Sequence, residues 1–405
     1  MGRYYAPVLY EPARHEPLRN IAWDEARARE TIRAIVDDAH ESLGYGCTWP
    51  MHPLDAIPPE PPHKSLYLGA SGVLWTLAYL HRHGAANLQV DPATLIQRID
   101  REYLAEPDTR MVVPSYFVGE VGILLVLWRL TGSRAAAERL TAAIRANIPN
   151  PANEALWAAP GTMLGALRMH AWTNDASWRD LYLENVEHVW RTWEWDEETG
   201  CHLWTQRLYG YVEKSLGAAH GFAGNAYALL RGATLLPDDL RQHLYERCVQ
   251  TVLRTAIVED DAANWAPSSR HEDAKMLVQW CHGAPGIVTA LSELPAGYSE
   301  PFDALLVKAG NLTWTAGPVA KGFGICHGTA GNGYAFLKLH GRTRDAIWLD
   351  RARAFAMHAI EQAEEMRDQH GCRRHTVWTG DPGLAVYLWH CITEDSQLPS
   401  LDVLD

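Results

Sequence analysis

Two stretches of this chain put cysteine and histidine side by side at a glycine turn. They are Trp280-Cys281-His282-Gly283-Ala284-Pro285-Gly286 and Cys326-His327-Gly328-Thr329-Ala330-Gly331. Cysteine and histidine are the usual side-chain ligands of zinc, and three protein ligands with a fourth position open is the layout of a catalytic rather than a structural zinc ion. The stretches are two copies of Cys-His-Gly-x-x-Gly, so packing the copies together brings equivalent positions into contact. Cys281, Cys326 and His327 are the expected ligands. The plainer reading, buried core thiols beside a hydrogen-bonded histidine, leaves the doubling of the motif without a cause.

The elements that position these residues are repeated too. A small-residue turn followed by an apolar run occurs seven times, at Gly69, Gly119, Ala158, Gly221, Gly283, Gly328 and Gly380. A period of about 40 to 60 residues marks a repeat architecture, in which one unit cannot bury its own apolar face. The runs, such as Val73 to Leu80 and Ile123 to Leu130, are apolar nearly all round, as buried inner helices are. Between them lie amphipathic outer-helix candidates. One starts at Ser133 as N-cap, carries Ala136, Leu140 and Ile144 as its stripe, and stops before Pro149. Residues 1–62 read as an N-terminal helical arm followed by a linker with six prolines between Pro50 and Pro62, and residues 63–405 as the repeat domain. The stretch from Trp193 to Gly210, aromatic and acidic, reads as a long loop or hairpin. Its tryptophans are assigned to packing over the rim ahead of a substrate platform.

Composition narrows the function. The chain has 405 residues, 47% of them hydrophobic, and 36 basic against 49 acidic side chains for a formal charge of −13. That balance disfavours nucleic acid or an anionic membrane as partner. No apolar run is long enough to insert in a membrane, and no signal peptide is evident. Seven irregularly spaced cysteines do not form a disulfide framework. A cytoplasmic, reducing location is expected, where Cys281 and Cys326 stay available as thiolates.

The motifs Ala219-His220-Gly221-x-x-Gly224, Trp280-Cys281-His282-Gly283-x-Pro285-Gly286 and Cys326-His327-Gly328-x-x-Gly331-Asn332 together resemble those of the lanthionine synthetase C (LanC-like) family, over roughly residues 60–390. The resemblance implies an all-α fold, an α/α toroid of seven inner helices inside seven outer ones, with zinc at one end on Cys281, Cys326 and His327. It also implies Michael addition of a thiol to dehydroalanine or dehydrobutyrine. The chemistry suits the residues. A thiolate is the nucleophile, and a bound metal deprotonates a coordinating thiol outright. Attack on the β-carbon leaves an enolate that needs a proton, and histidine is the natural donor near neutral pH. His220 stands in the turn equivalent to that of His327, where the family has its acid/base histidine; the alternative is a helix-capping role. His282 is a second candidate acid, a fourth ligand or a rim histidine. Glu154 matches an acidic family position that supports the catalytic histidine; a solvated cap is the alternative.

The family's peptide cyclases commonly have Arg four residues before the first zinc cysteine and Tyr or Asn after it. This chain has Leu277 and His282 there, and is more similar to the eukaryotic LanC-like proteins, which bind glutathione. In those relatives a lysine and an arginine at places matching Lys321 and Arg373 hold the tripeptide, and Arg374 or His375 could share the arginine's part. Glutathione carries two carboxylates, which Lys and Arg pair with. The expected function is zinc-dependent thioether formation, with glutathione as thiol and a dehydroamino-acid protein or peptide as acceptor. The alternatives are a lanthionine-forming cyclase, with a dehydratase or kinase partner, and a non-catalytic zinc and glutathione-binding adaptor.

Overall fold

The computed structural model describes residues 9–55, 61–269 and 275–404. Part of the proline-rich linker, residues 56–60, lies outside them. The fold is an α/α toroid. Its inner helices are α2 (Ala70–Arg82), α4 (Glu120–Thr131), α6 (Ala159–Thr173), α8 (Phe222–Arg231), α10 (Ala284–Leu291), α12 (Thr329–Thr343) and α14 (Asp381–Thr393). The outer helices are α1 (Glu25–Glu41), α3 (Pro92–Ala105), α5 (Arg134–Asn147), α7 (Ala176–Arg191), α9 (Asp238–Thr255), α11 (Glu300–Ala316) and α13 (Ala346–His370). Helix α1 packs along α14, so the N-terminal arm supplies an outer helix to the seventh repeat instead of standing apart from the toroid.

The two rings start differently because they face different surroundings. Outer helices reach solvent, and five of the seven take side-chain caps: the Asp24, Asp91, Ser133, Asp175 and Asp345 oxygens accept first-turn amides, while α9 and α11 have none. Each such cap contributes about 1 kcal/mol. Ser133 and the buried stripe Ala136, Leu140 and Ile144 stand as the sequence indicates. Inner helices are buried on all sides and start on a turn with no side-chain cap.

A glycine in each turn lets the ring close. A Cβ at Gly72 would stand 2.2 Å from the Leu66 carbonyl oxygen and 2.9 Å from Val377 Cγ2, in the seventh repeat. At Gly122 it would meet the Tyr116 oxygen at 2.2 Å and Leu66 Cβ at 2.8 Å. The pattern recurs at Gly161, Gly224, Gly286, Gly331 and Gly383, each against its own turn's carbonyl and a side chain of the preceding repeat. Neighbouring repeats therefore approach through these glycines, the seventh returning to the first.

The C-terminal segment fills the lumen. Leu398, Leu401, Val403 and Leu404 are buried. Trp378 Nε1 donates to Ser400 Oγ at 3.1 Å, and Asp402 takes Tyr227 Oη at 2.7 Å and Lys338 Nζ at 2.9 Å. The Trp193–Gly210 stretch forms β1 (Trp193–Asp196) with β2 (Cys201–Trp204), and leads into a second hairpin, β3 (Gln206–Leu208) with β4 (Tyr211–Glu213). Trp193 and Trp204 are buried and stacked at 4.2 Å, the packing role expected of them, while Trp195 is exposed. A third hairpin pairs β5 (Ile257–Glu259) with β6 (Ala262–Asn264).

Candidate metal centre

Each inner helix begins at an N-cap, and the two residues before that cap reach the same end of the toroid. The second residue before it is Tyr67, Phe117, Leu156, Ala219, Cys281, Cys326 or Trp378. The first is Leu68, Val118, Trp157, His220, His282, His327 or Thr379. Backbone hydrogen bonds join these turns in order. The amide of Ala219 donates to Cys281 O (3.4 Å), Cys281 to Cys326 O (3.0 Å) and Cys326 to Trp378 O (2.8 Å). Trp378 donates in turn to Tyr67 O (3.4 Å), and Tyr67 to Phe117 O (2.9 Å). Both cysteines thus sit within an unbroken stretch of this backbone ring, running from Ala219 to Phe117, that fixes their spacing.

The Sγ atoms of Cys281 and Cys326 and a ring nitrogen of His327 lie within 4.8 Å of one another, both cysteines buried and His327 half-buried. Tetrahedral zinc with bonds of about 2.0 to 2.3 Å needs ligand separations of about 3.5 to 3.8 Å, so the donor set suits such an ion. Among the described residues this is the one such group. Left to themselves the two sulfurs share a proton: Cys281 donates to Cys326, which pushes the Cys281 thiol up and holds the Cys326 thiolate well down. A cation would take the place of that proton.

Local backbone sets the Cys281 position. Gln279 and His282 exchange both backbone hydrogen bonds, 3.2 and 3.1 Å, so Trp280 and Cys281 form the tip of a tight turn. Gly283 follows at φ +104°, where a Cβ would stand 2.0 Å from Leu277 O. No side chain fits there. Two side chains also reach the sulfurs: Gln279 Nε2 donates to Cys281 Sγ at 2.9 Å, and the Tyr67 hydroxyl to Cys326. Neither was singled out from the sequence. Tyr67 occupies the same turn position as the two cysteines, which was the signal available.

The third turn departs from the ring. The Leu156 amide turns to Glu154 Oε2 (2.9 Å), and the Trp157 amide to Glu154 Oε1 (2.7 Å). Glu154 is fully buried, and its Oε2 also takes His220 Nδ1 at 2.9 Å. A carboxylate accepting two amides is an acceptor only, so Nδ1 carries the hydrogen and His220 Nε2 is left to exchange a proton. Burial disfavours the charged imidazole, but the Glu154 hydrogen bond and charge, with Cys326 and Glu213 beyond, outweigh it and hold the His220 pKa above the ordinary value. His282, with its ring 6.3 Å from that of His220, is pushed the other way by burial and by His220. Its Nδ1 is buried without a hydrogen-bond partner among the described residues. Glu154, His220 and His282 thus gather beside the Cys281, Cys326 and His327 donor set.

The two expected cations differ. Lys321 is exposed and close enough for its charge to favour the Cys281 thiolate. Arg373 is 5% exposed, and its Nη1 pairs with the buried Asp381 at 2.7 Å, on the first turn of α14. Arg374 grips Asp55 and His375 meets Asp38 at 2.9 Å, tying the N-terminal segment to this rim.

At one end of this helical toroid, a Cys-Cys-His cluster that could hold a metal ion stands beside a carboxylate-oriented histidine. The model of the family described as lanthionine synthetase C-like protein matches residues 60–403, and the chain belongs to that family. Among solved structures it is similar to nisin cyclase, with a TM-score of 0.59 at 14% identity over 91% of this chain and all of that one, a likeness of fold. Curated relatives include glutathione S-transferase LANCL1 of Danio rerio, 34% identical over 166 residues, which are 40% of this chain and 38% of that protein. LanC-like protein GCL1 of Arabidopsis thaliana is 32% identical over 196 residues, 46% of this chain and 43% of that one. These matches span less than half the length of either relative. Among the described residues no helix is long and apolar enough to cross a membrane.

Proposed function

We propose that this protein adds a thiol, glutathione, to dehydroalanine or dehydrobutyrine residues of a protein or peptide. The observation that carries the reading is the join of two half-sites: the Cys281, Cys326 and His327 donor set, and a His220 held by Glu154 at 2.9 Å. A zinc ion on the three ligands would bind the incoming sulfur and hold it as thiolate.

The chain's own residues do the rest. The sulfur forms a bond to the acceptor β-carbon, and the π pair of the double bond moves toward the α-carbon and its carbonyl. His220 Nε2–H delivers the proton to the α-carbon, Glu154 stabilises the imidazolium before that transfer, and the proton that the thiol gives up restores it. A positioned general acid of this kind contributes about 10²- to 10⁴-fold. His282, held toward its neutral form by burial and with its ring 6.3 Å from that of His220, is assigned a hydrogen bond to the acceptor.

Lys321 supports glutathione as the donor, because an exposed ammonium whose charge reaches Cys281 would pair with a carboxylate of the tripeptide. The relative named glutathione S-transferase agrees with this donor. Arg373 contributes by bracing the seventh turn through Asp381. The test of the donor compares glutathione with a small uncharged thiol, using wild type and Lys321→Ala. The KM for glutathione is expected to rise about tenfold, equivalent to about 1.4 kcal/mol, with the uncharged thiol unaffected. Equal glutathione use by both proteins, with ring closure of an acceptor carrying its own cysteine, would favour a peptide cyclase.

A further inference from the structure

The β3–β4 hairpin turns through Tyr209 and Gly210, at φ +54° and +82°. Two successive positive φ values in a two-residue hairpin make a type I′ turn, whose first position ordinarily takes Asn, Asp or Gly. A bulky aromatic with a Cβ is strained there. The sequence keeps a tyrosine where asparagine would make a more stable turn, and residues held in costly conformations gather at functional sites.

The surroundings of Tyr209 say what the ring is for. Its hydroxyl accepts from Trp157 Nε1 at 2.9 Å, which fixes the ring's direction. Trp157 follows Leu156 in the turn whose amides Glu154 collects. The Tyr209 ring meets the His220 ring edge-on, centroids 6.2 Å apart at 78°. The residue is still 66% exposed, so the ring is placed but not packed. An aromatic face is thereby held open next to the imidazole that delivers the proton.

We propose that Tyr209 is a substrate-positioning residue, and that the planar dehydroamino acid of the acceptor packs against its ring. A dehydroalanine residue is flat and conjugated, and its amide extends that plane, so it matches an aromatic face better than the tetrahedral alanine does. Selectivity for the unsaturated residue over its saturated neighbours then starts at this ring. The inference rests on the thiol-addition reading for its choice of acceptor, but its test does not need turnover.

Binding of a dehydroalanine peptide, and of the same peptide with alanine in its place, is measured by calorimetry without thiol. Wild type, Tyr209→Phe and Tyr209→Asn are compared, all metal-loaded. Wild type is expected to bind the dehydroalanine peptide more tightly than the alanine peptide. Tyr209→Phe is expected to keep most of that preference, since the ring remains. Tyr209→Asn is expected to lose it, about tenfold in affinity, while its metal content is unchanged and its melting temperature is no lower than that of wild type. Equal preference in wild type and Tyr209→Asn, or none in wild type, overturns the proposal. Ring-dependent preference in a wild type that forms no adduct would sink the catalytic reading and leave this one standing.

Discussion

Glu154 Oε2 accepts from His220 Nδ1 at 2.9 Å, and this contact joins the third turn of the toroid to the fourth. It stands where the backbone ring is interrupted, because the Leu156 amide has gone to the same carboxylate. The structure exchanges one turn-to-turn link for an oriented imidazole. Glu154 is fully buried, so its charge acts on His220 with little screening by solvent.

That contact makes pH the first prediction. The His220 pKa is raised, and the proposed general acid must be protonated, so turnover is expected to fall as pH rises through that pKa. Glu154→Gln removes the charge and is expected to move this alkaline limb to lower pH, with metal content unchanged. A pH–rate profile of both proteins measures it, and coincident limbs would remove Glu154 from the mechanism. The same raised pKa stabilises the folded chain below the ordinary histidine value of about 6.5, and that contribution is lost as pH rises through the folded value.

The metal triad gives the second. Cys281→Ala or Cys326→Ala is expected to lose the metal and the activity and keep most of the helical signal, because the backbone ring holds the turn without the sulfur. Gln279→Leu keeps all three ligands and is expected to weaken metal binding about 10- to 100-fold, the usual cost of removing a hydrogen bond to a ligand. Metal analysis and chelator competition measure both. Full metal content in the two cysteine variants would end the assignment.

Arg373 and Lys321 are expected to separate stability from binding. Arg373→Ala leaves Asp381 buried and unpaired, which costs about 3 to 5 kcal/mol. Lys321→Ala removes an exposed charge and is expected to leave the melting temperature nearly unchanged. Denaturant unfolding decides this, and equal stability of the two variants would contradict the buried pairing.

Much of this was legible in the sequence because it repeats. The seven turns, the two Cys-His copies and His220 share one register, so their convergence at one end follows once the toroid closes. Glu154 was legible only by its family place, since nothing in its neighbours says that its carboxylate collects two amides and an imidazole. The burial of Arg373 was not legible, because Asp381 looks like any helix-start acid until α14 is seen packed on all sides. Nor was the place of α1, whose pattern gives an amphipathic helix and says nothing of a neighbour at the far end of the chain. Tyr209 was hidden for another reason: Tyr-Gly is not a favoured hairpin dipeptide, and the residue stands out only by its positive φ.

The central claim is thiol addition at this site, and mass measurement of the acceptor tests it most directly. Zinc-loaded protein is incubated with a dehydroalanine peptide and glutathione, beside Cys326→Ala and His220→Ala. Wild type is expected to yield peptide heavier by one whole glutathione, as addition without a leaving group requires. Cys326→Ala is expected to yield none above background, and His220→Ala about 10²- to 10⁴-fold less in rate with its metal retained. An unchanged peptide mass with metal-loaded wild type, or equal adduct from all three proteins, would contradict the account.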